Sequence, residues 1–372
     1  MAVAAGIRVA LSVLRTVPGF DRYSMSFSPM SFSRYIKLLA DPSDEADTAD
    51  SAGIEDLFAA MFDGGVSDLE LGAIVVALHG RPPSVAHVAA AYRAAAARVQ
   101  HLRAPESPFR PLVFASYNST RRTANLLPWL ALVLRRLGVP VLVHGNLGGA
   151  CGGTSAYLFR ELGVMPSATA TAIQTALEKD GLAFVPAGVL CPGLANLIAL
   201  QTRLGLKDWV YKLAVLIDPF RGNGMRVIGI AEQQLREIIE AVCYEERLDA
   251  VVFEGADDDA FVEPFRRPAI VAYVEGSRSV LFEPESNTLE WRVDLPEPRD
   301  VAATAEWTRR AVAGEVPLPH PLVNQLACCL FASGYAADMN QAKAIATMES
   351  GVLMAGEGRV RHTKGVQANR DA

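Results

Sequence analysis

Two stretches of this chain hold the residues from which ligand chemistry could be built. The first, "ASYNSTRRTAN" (115–125), places Tyr117, Asn118, Arg121, Arg122 and Asn125 in one short run after an apolar segment. A double arginine beside an aromatic ring suits a nucleic-acid phosphate with a base stacked next to it. The same arginines would equally solvate a loop or pair with acidic residues elsewhere. The second stretch, "HGNLGGACGGTS" (144–155), offers His144, Gly145 and Asn146, then Thr154 and Ser155 at the start of a helix. Glycines let backbone amides approach an anion, so this run is compatible with phosphate binding. It fits neither the Walker pattern nor the dinucleotide fingerprint, and a tight turn uses the same residues. His144, just past an apolar strand, suits a structural role as well as a ligand-facing one. Asp257, Asp258 and Asp259 form a third cluster, able to hold Mg2+ against substrate phosphates or to make a solvated turn. Arg266, Arg267, Lys207 and Lys212 would either extend a basic groove or decorate the surface.

The elements that must position these residues follow from periodicity. From Ser31 to about Arg103 the pattern is helical. Ser67 and Glu70 form a capping box ahead of "LGAIVVAL", and Val85, Val88, Tyr92, Ala96 and Val99 share one helix face. Pro105, Pro108 and Pro111 punctuate a linker. Beyond it, strands are expected at 111–115, 139–143, 182–186, 226–230 and 249–253, and helices at Asn125–Leu137, Thr154–Leu162, Pro192–Leu204 and Glu232–Tyr244. Alternation at these lengths implies a mostly parallel sheet covered on both faces. Residues 269–285 read as an antiparallel pair. In such a sheet ligands bind where strands end and helices begin, which is where both candidate stretches fall.

Composition sets the outer limits. Hydrophobic residues make up 51% of the 372 residues and aromatics 8%, enough for a large α/β core with a smaller helical unit. No apolar run is long enough to span a membrane. The five cysteines, Cys151, Cys191, Cys243, Cys328 and Cys329, have no metal-ligand spacing and read as reduced thiols of a cytoplasmic protein. Cys328 and Cys329 lie in an apolar helical run and are expected in the core. The net charge of −6 is concentrated in Asp41, Asp44, Glu45, Asp47, Asp50, Glu55 and Asp56, read as an acidic loop over 41–57. Residues 1–29 carry Arg8, Arg15 and Arg22 with Asp21 as their one acidic residue. They are expected to be a flexible extension or the product of a start placed too early, with a transit peptide as the other reading. Residues 355–372 are polar and expected to be a flexible tail.

The segment "HGNLGGACGGTSAYLFRELG" resembles the HGN segment of anthranilate phosphoribosyltransferase, and "GGVSDLELGAIVVALHGR" resembles that family's N-terminal helical domain. "CPGLANLIALQTRLGLKDWVYKLAVLIDPF" resembles its P…R…LG…NP segment. "SYNSTRRTANLLPWLALVL", "EGADDDAFVEPFRRP" and "NQLACCLFASGYAAD" are more similar to the divergent, nucleic-acid-binding YbiB type of that family, over about Phe32 to Ala344. The resemblance implies a nucleoside phosphorylase/phosphoribosyltransferase fold: a small helical domain over 30–104 and a large α/β domain with a mostly parallel sheet over 110–354. It also implies a homodimer.

Departures from the enzyme pattern shape the functional expectation. The family's GTGGD loop, which wraps a diphosphate, is replaced by Ala115-Ser116-Tyr117-Asn118-Ser119. The lysine before HGN is Val143, the serine after the F-N pair is Leu127, and the anthranilate arginine falls at Gln201. Asn125, His144, Gly145, Asn146 and Ser155 remain. Asp258 and Asp259 fall near the family's metal-binding acidic pair. The resemblance therefore implies a dimer that binds single-stranded nucleic acid and lacks the standard transferase reaction. The alternative is an active phosphoribosyl or glycosyl transferase with another acceptor, using Mg2+; a structural or regulatory partner protein is a third reading.

Overall fold

The computed structural model of the chain describes residues 32–40, 51–80, 82–118, 121–148, 154–206, 209–285 and 293–351. The expectations for residues 1–29, for the acidic residues 41–50 and for the tail from 355 lie outside these.

Seven strands form one sheet: β1 (Leu112–Ser116), β2 (Val141–Gly145), β3 (Leu182–Pro186), β4 (Met225–Gly229), β5 (Ala250–Phe253), β6 (Ile270–Val274) and β7 (Ser277–Phe282). Their spatial order is β3-β2-β1-β4-β5-β6-β7. The first five run parallel, while β6 and β7 add an antiparallel hairpin at one edge. Strand order reverses between β1 and β4, so the crevice that an open α/β sheet offers a ligand lies beyond the ends of those two strands. β1 to β5 are buried on both faces, which explains their near-continuous Val, Leu and Phe content.

The helices are α1 (Ser33–Ala40), α2 (Ser51–Phe62), α3 (Asp68–His79), α4 (Val85–Ala96), α5 (Leu127–Arg136), α6 (Ser155–Glu161), α7 (Ala170–Asp180), α8 (Ala187–Leu190), α9 (Pro192–Leu204), α10 (Gln233–Glu245), α11 (Val301–Val312), α12 (His320–Ala332) and α13 (Met339–Glu349). A 3-10 segment spans Trp209–Leu216. Period-2 alternation divides the sheet's two faces. Leu112, Phe114, Val141 and Val143 join Trp129 of α5 and the α12 residues Leu322, Leu326, Cys328 and Cys329 on one side. Val113, Leu142, Ala183 and Val185 meet Ile173, Leu177 and Phe220 on the other. Burying one such Leu, Val or Phe side chain contributes about 1.5–3 kcal/mol.

A third cluster joins α1 to α4 with α9, the 3-10 segment, α10 and the β4–β6 residues Ile228, Val252 and Tyr273. The helical lobe is therefore assembled from two separate parts of the chain, with α9 and Trp209–Leu216 inserted between β3 and β4. Arg93 of α4 strengthens this junction, with Nε 2.7 Å from Glu55 of α2 and Nη1 2.6 Å from Glu246 after α10. The acidic stretch is partly corrected. Residues 51–57 belong to α2, because Ile54, Leu57 and Phe58 fall on one face and are buried there. Half of the capping box forms. Ser67 Oγ accepts from the Glu70 amide at 3.4 Å, while the Glu70 carboxylate accepts from Ser67 Oγ at 2.6 Å and from the Phe32 amide at 3.3 Å.

Candidate functional site

Ser116, the last residue of β1, opens a chain of polar contacts on the α5 face of the sheet. Its Oγ lies 2.6 Å from Ser155 Oγ and donates to Asp259 Oδ2 at 3.0 Å. Asn125 Nδ2 donates to Ser155 Oγ at 2.8 Å, and Asn125 Oδ1 accepts from the Leu127 amide at 3.2 Å. A carboxylate only accepts, so the proton directions follow: Asn125 to Ser155, Ser155 to Ser116, Ser116 to Asp259. Arg121 closes the chain with an ion pair from Nη2 to Asp259 Oδ2, and both side chains are wholly buried. The arginine stands over the Phe261 ring at 6.0 Å. The remaining oxygen of Asp259 accepts from the Ala260 amide at 2.9 Å.

Two glycines let these strands and loops come so close. A Cβ on Gly145 would sit 1.9 Å from the Ser116 carbonyl oxygen, and one on Gly229 would sit 1.9 Å from the Asp259 carbonyl oxygen. Only hydrogen side chains fit there.

The Asp257–Asp259 loop follows β5 and reaches across the crevice. Asp257 and Asp258 adopt left-handed backbone, with φ of 53° and 63°, a conformation that aspartate tolerates better than most residues. Asp257 Oδ2 accepts from the amides of Arg122 at 2.8 Å and Thr123 at 2.9 Å, and its carbonyl accepts from Asn118 Nδ2. Asp258 Oδ1 lies 3.1 Å from Lys212 Nζ and accepts from the Ala231 amide at 2.8 Å. Asp258 Oδ2 accepts from the Tyr211 hydroxyl at 3.1 Å. Gln325 of α12 fixes the following turn, accepting from the Val262 amide and donating to the Ala260 carbonyl, both at 3.0 Å.

His144 belongs to the opposite face. Its Nδ1 is 2.9 Å from the Tyr117 hydroxyl, with the rings edge-on at 5.5 Å. Burial lowers the imidazole pKa to about 3 and raises that of the Tyr117 phenol, so both are neutral at pH 7. Asn146 Nδ2 donates to the Tyr117 carbonyl at 3.4 Å. Thr154 precedes α6 in extended conformation without a side-chain cap bond. Among the described residues, Arg121 Nε and Nη1, Thr154 Oγ1 and His144 Nε2 are buried with no hydrogen-bond partner.

The structure thus gathers Asn125, Thr154, Ser155, Asp259 and Arg121 at one place, with Tyr117, His144 and Asn146 behind it. It corrects the expectation for Arg121, which is turned inward onto Asp259 instead of outward toward a phosphate. Tyr117 is half-buried against His144, not a free stacking platform. Arg122 is exposed. Arg266 pairs with Glu254, and Arg267 lies 2.6 Å from Glu285. Lys212 is buried, and Lys207 lies outside the described residues. The oxygens of Asp258 and Asp259, the two residues expected near a metal, are engaged by Lys212, Tyr211 and Arg121. Among the described residues no three His, Cys, Asp or Glu side chains converge as a metal site requires.

Sequence reasoning misses Ser116, Tyr211 and Gln325. Ser116 stands in the quoted loop beside more conspicuous neighbours; Gln325, inside an apolar helix, is findable only as a polar residue on a core face. A cleft of about 490 Å3 adjoins the site, between His79, Pro82 and Pro83 of the helical lobe and Tyr211, Glu232 and Asp258. Among the described residues no helix is long and apolar enough to cross a membrane.

No family model matches the chain. It is 30% identical to the Escherichia coli K12 protein YbiB over 312 residues, which cover 84% of this chain and 97% of that one. It is 30% identical to the anthranilate phosphoribosyltransferase of Frankia alni over 182 residues, 48% of each chain. Among solved structures it superposes on anthranilate phosphoribosyltransferase from Thermus thermophilus with a TM-score of 0.66 and 22% identity, covering 85% of this chain and 94% of that one. The Saccharomyces cerevisiae enzyme in complex with PRPP and Mg superposes with a TM-score of 0.63 and 13% identity, over 86% and 93% of the two chains.

Proposed function

This chain belongs to the YbiB family, which shares its fold with anthranilate phosphoribosyltransferase, and from that membership we propose that it binds single-stranded nucleic acid as a homodimer and does not carry out the anthranilate phosphoribosyltransferase reaction. The observation that carries the second half is the buried Arg121–Asp259 pair with Ser116 and Ser155. Side chains and a fixed ion pair fill the strand end at which the resemblance expects a bare glycine loop to receive a diphosphate. Losing one anchoring contact to a developing charge costs about 2–4 kcal/mol of transition-state stabilisation. Several lost together leave no useful turnover.

Nucleic-acid binding is supported by the YbiB-type segments and by Arg122. That residue is exposed on a loop whose backbone Asp257 holds in place, and an exposed guanidinium there suits a backbone phosphate. Dimerisation is supported by α3, where Leu69 is 85% exposed and Val76 is 56% exposed on one face, with the open Gly72 between them. One observation favours the transferase alternative: the unpartnered N–H groups of Arg121 and the Thr154 hydroxyl flank Asn125 and Ser155, and such donors suit an anion.

A mobility-shift titration with single-stranded DNA at two salt concentrations, run beside a turnover assay with phosphoribosyl pyrophosphate and anthranilate, tests both halves. Binding that weakens with salt, and no turnover, is expected. Turnover, or growth restored to a tryptophan auxotroph lacking the enzyme, refutes the second half; no binding at low salt refutes the first.

A further inference from the structure

We propose that Arg121 and Lys212 balance the charge of Asp259 and Asp258 in place of a divalent metal, so that the loop after β5 works as a metal-free clasp between the helical lobe and the sheet. This goes beyond the nucleic-acid reading and stands or falls independently of it. The solved yeast structure with the same fold contains Mg, and one or two carboxylates together with substrate phosphates are the ordinary means of holding one.

Here each carboxylate is already matched. Asp259 accepts from the Ala260 amide on one oxygen, and from Ser116 and Arg121 on the other. Asp258 accepts from Ala231 and Lys212 on one oxygen, and from Tyr211 on the other. Mg2+ demands near-octahedral oxygen ligands at about 2.0–2.1 Å and gives up its water reluctantly. A dication entering this loop would lie against a guanidinium that cannot lose its proton. To take either carboxylate it would have to displace a buried cation, stranding that charge without a partner. The residues therefore do not fit the metal.

They do fit a mechanical role. Arg121 follows β1, Ala231 follows β4, and Tyr211 and Lys212 lie in the 3-10 segment that packs with the helical lobe. Asp258 and Asp259 tie these three parts together from a single loop. A metal-bridged site changes its charge and its contacts when the ion and its ligand leave. An internally balanced loop keeps both, so the two lobes hold one arrangement whatever the metal supply.

Mn2+ binding followed by electron paramagnetic resonance, together with melting curves with and without Mg2+, tests the proposal. The full-length parent should retain no Mn2+ at the Asp257–Asp259 loop, and its melting temperature should not move with Mg2+. The double variant Arg121→Met/Lys212→Met should melt lower, acquire bound Mn2+ and recover several degrees with Mg2+, because a ligand that binds only the folded state stabilises it. If the double variant does not fold, Lys212→Met alone is held to the same criteria. Mn2+ bound to the parent and lost on Asp259→Asn would overturn the proposal. So would a folded variant that binds no more Mn2+ than the parent.

Discussion

Replacing Arg121 with alanine would leave Asp259 as an uncompensated carboxylate that no solvent reaches. Breaking a buried pair from one side costs about 3–5 kcal/mol, and the expected loss in urea-monitored unfolding free energy is of that size. Arg121→Lys should recover only part of it, since an ammonium lacks the planar fork. His144 acts on stability with the opposite charge logic. Its folded pKa is depressed to about 3, so below the unfolded value of about 6.5 the unfolded chain binds a proton that the folded chain refuses. Stability contributed by the neutral ring is complete above about pH 6.5 and falls by about 1.4 kcal/mol per pH unit down to about pH 3. A His144→Gln variant should therefore lose less stability than the parent between those limits in parallel denaturant titrations. Asn125, His144 and Ser155 were legible in the sequence because short motifs carry them. The inward turn of Arg121 was not, because its partner lies 138 residues further along the chain and residue type does not disclose pairing.

At the scale of elements, the apolar face of α3 makes the sharpest claim. Leu69 and Val76 are seven residues apart and lie exposed on the same side of the helix. Leu69→Lys/Val76→Lys should convert a dimer to a monomer in light scattering while leaving the melting curve of the monomer nearly unchanged. The Ser67 cap of the same helix is a control: Ser67→Ala should cost about 0.5–2 kcal/mol of stability whatever the oligomeric state. The strands were readable because short Val-, Leu- and Phe-rich runs bounded by turns leave little choice. The α7 helix was not, since its start, "SATATAIQTALEKD", is rich in Thr and Ser, which lower helix propensity. After residue 300 the Cys328–Cys329 run is the helical signal that stands out, and it is buried within α12.

For the whole molecule, association with nucleic acid should be an electrostatic property of the exposed surface. If Arg122 neutralises one phosphate, Arg122→Ala should flatten the dependence of log affinity on log salt by about 0.7 for a single strand. The comparable change at Arg121 should reach binding only through lost folding, leaving the slope of the folded fraction unchanged. Salt-dependent anisotropy titrations of both variants separate the two. The change from helices alone up to α4 to alternating strands and helices from β1 onward was legible from the change of period near the proline-punctuated linker. That α9 and Trp209–Leu216 return to complete the helical lobe was not, because those residues follow three strands of the sheet and their periodicity names no destination.

The separation of Arg121 from Asp259 also bears on how the chain is made. On a ribosome the arginine emerges 138 residues before its carboxylate, a delay of about 7–28 s at about 5–20 residues per second. Until β4 is made, about 30 residues before Asp259, β1 and β2 can pair but β1 lacks its other neighbour, and throughout the interval Arg121 lacks its Asp259 counter-charge. The nascent chain must keep this arginine in water until Asp259 follows, and for most of that time its central strand is half open, with an apolar edge exposed to chaperones and proteases. Chains halted before Asp259 should accordingly be degraded quickly in cells, whereas those released after α12 should persist.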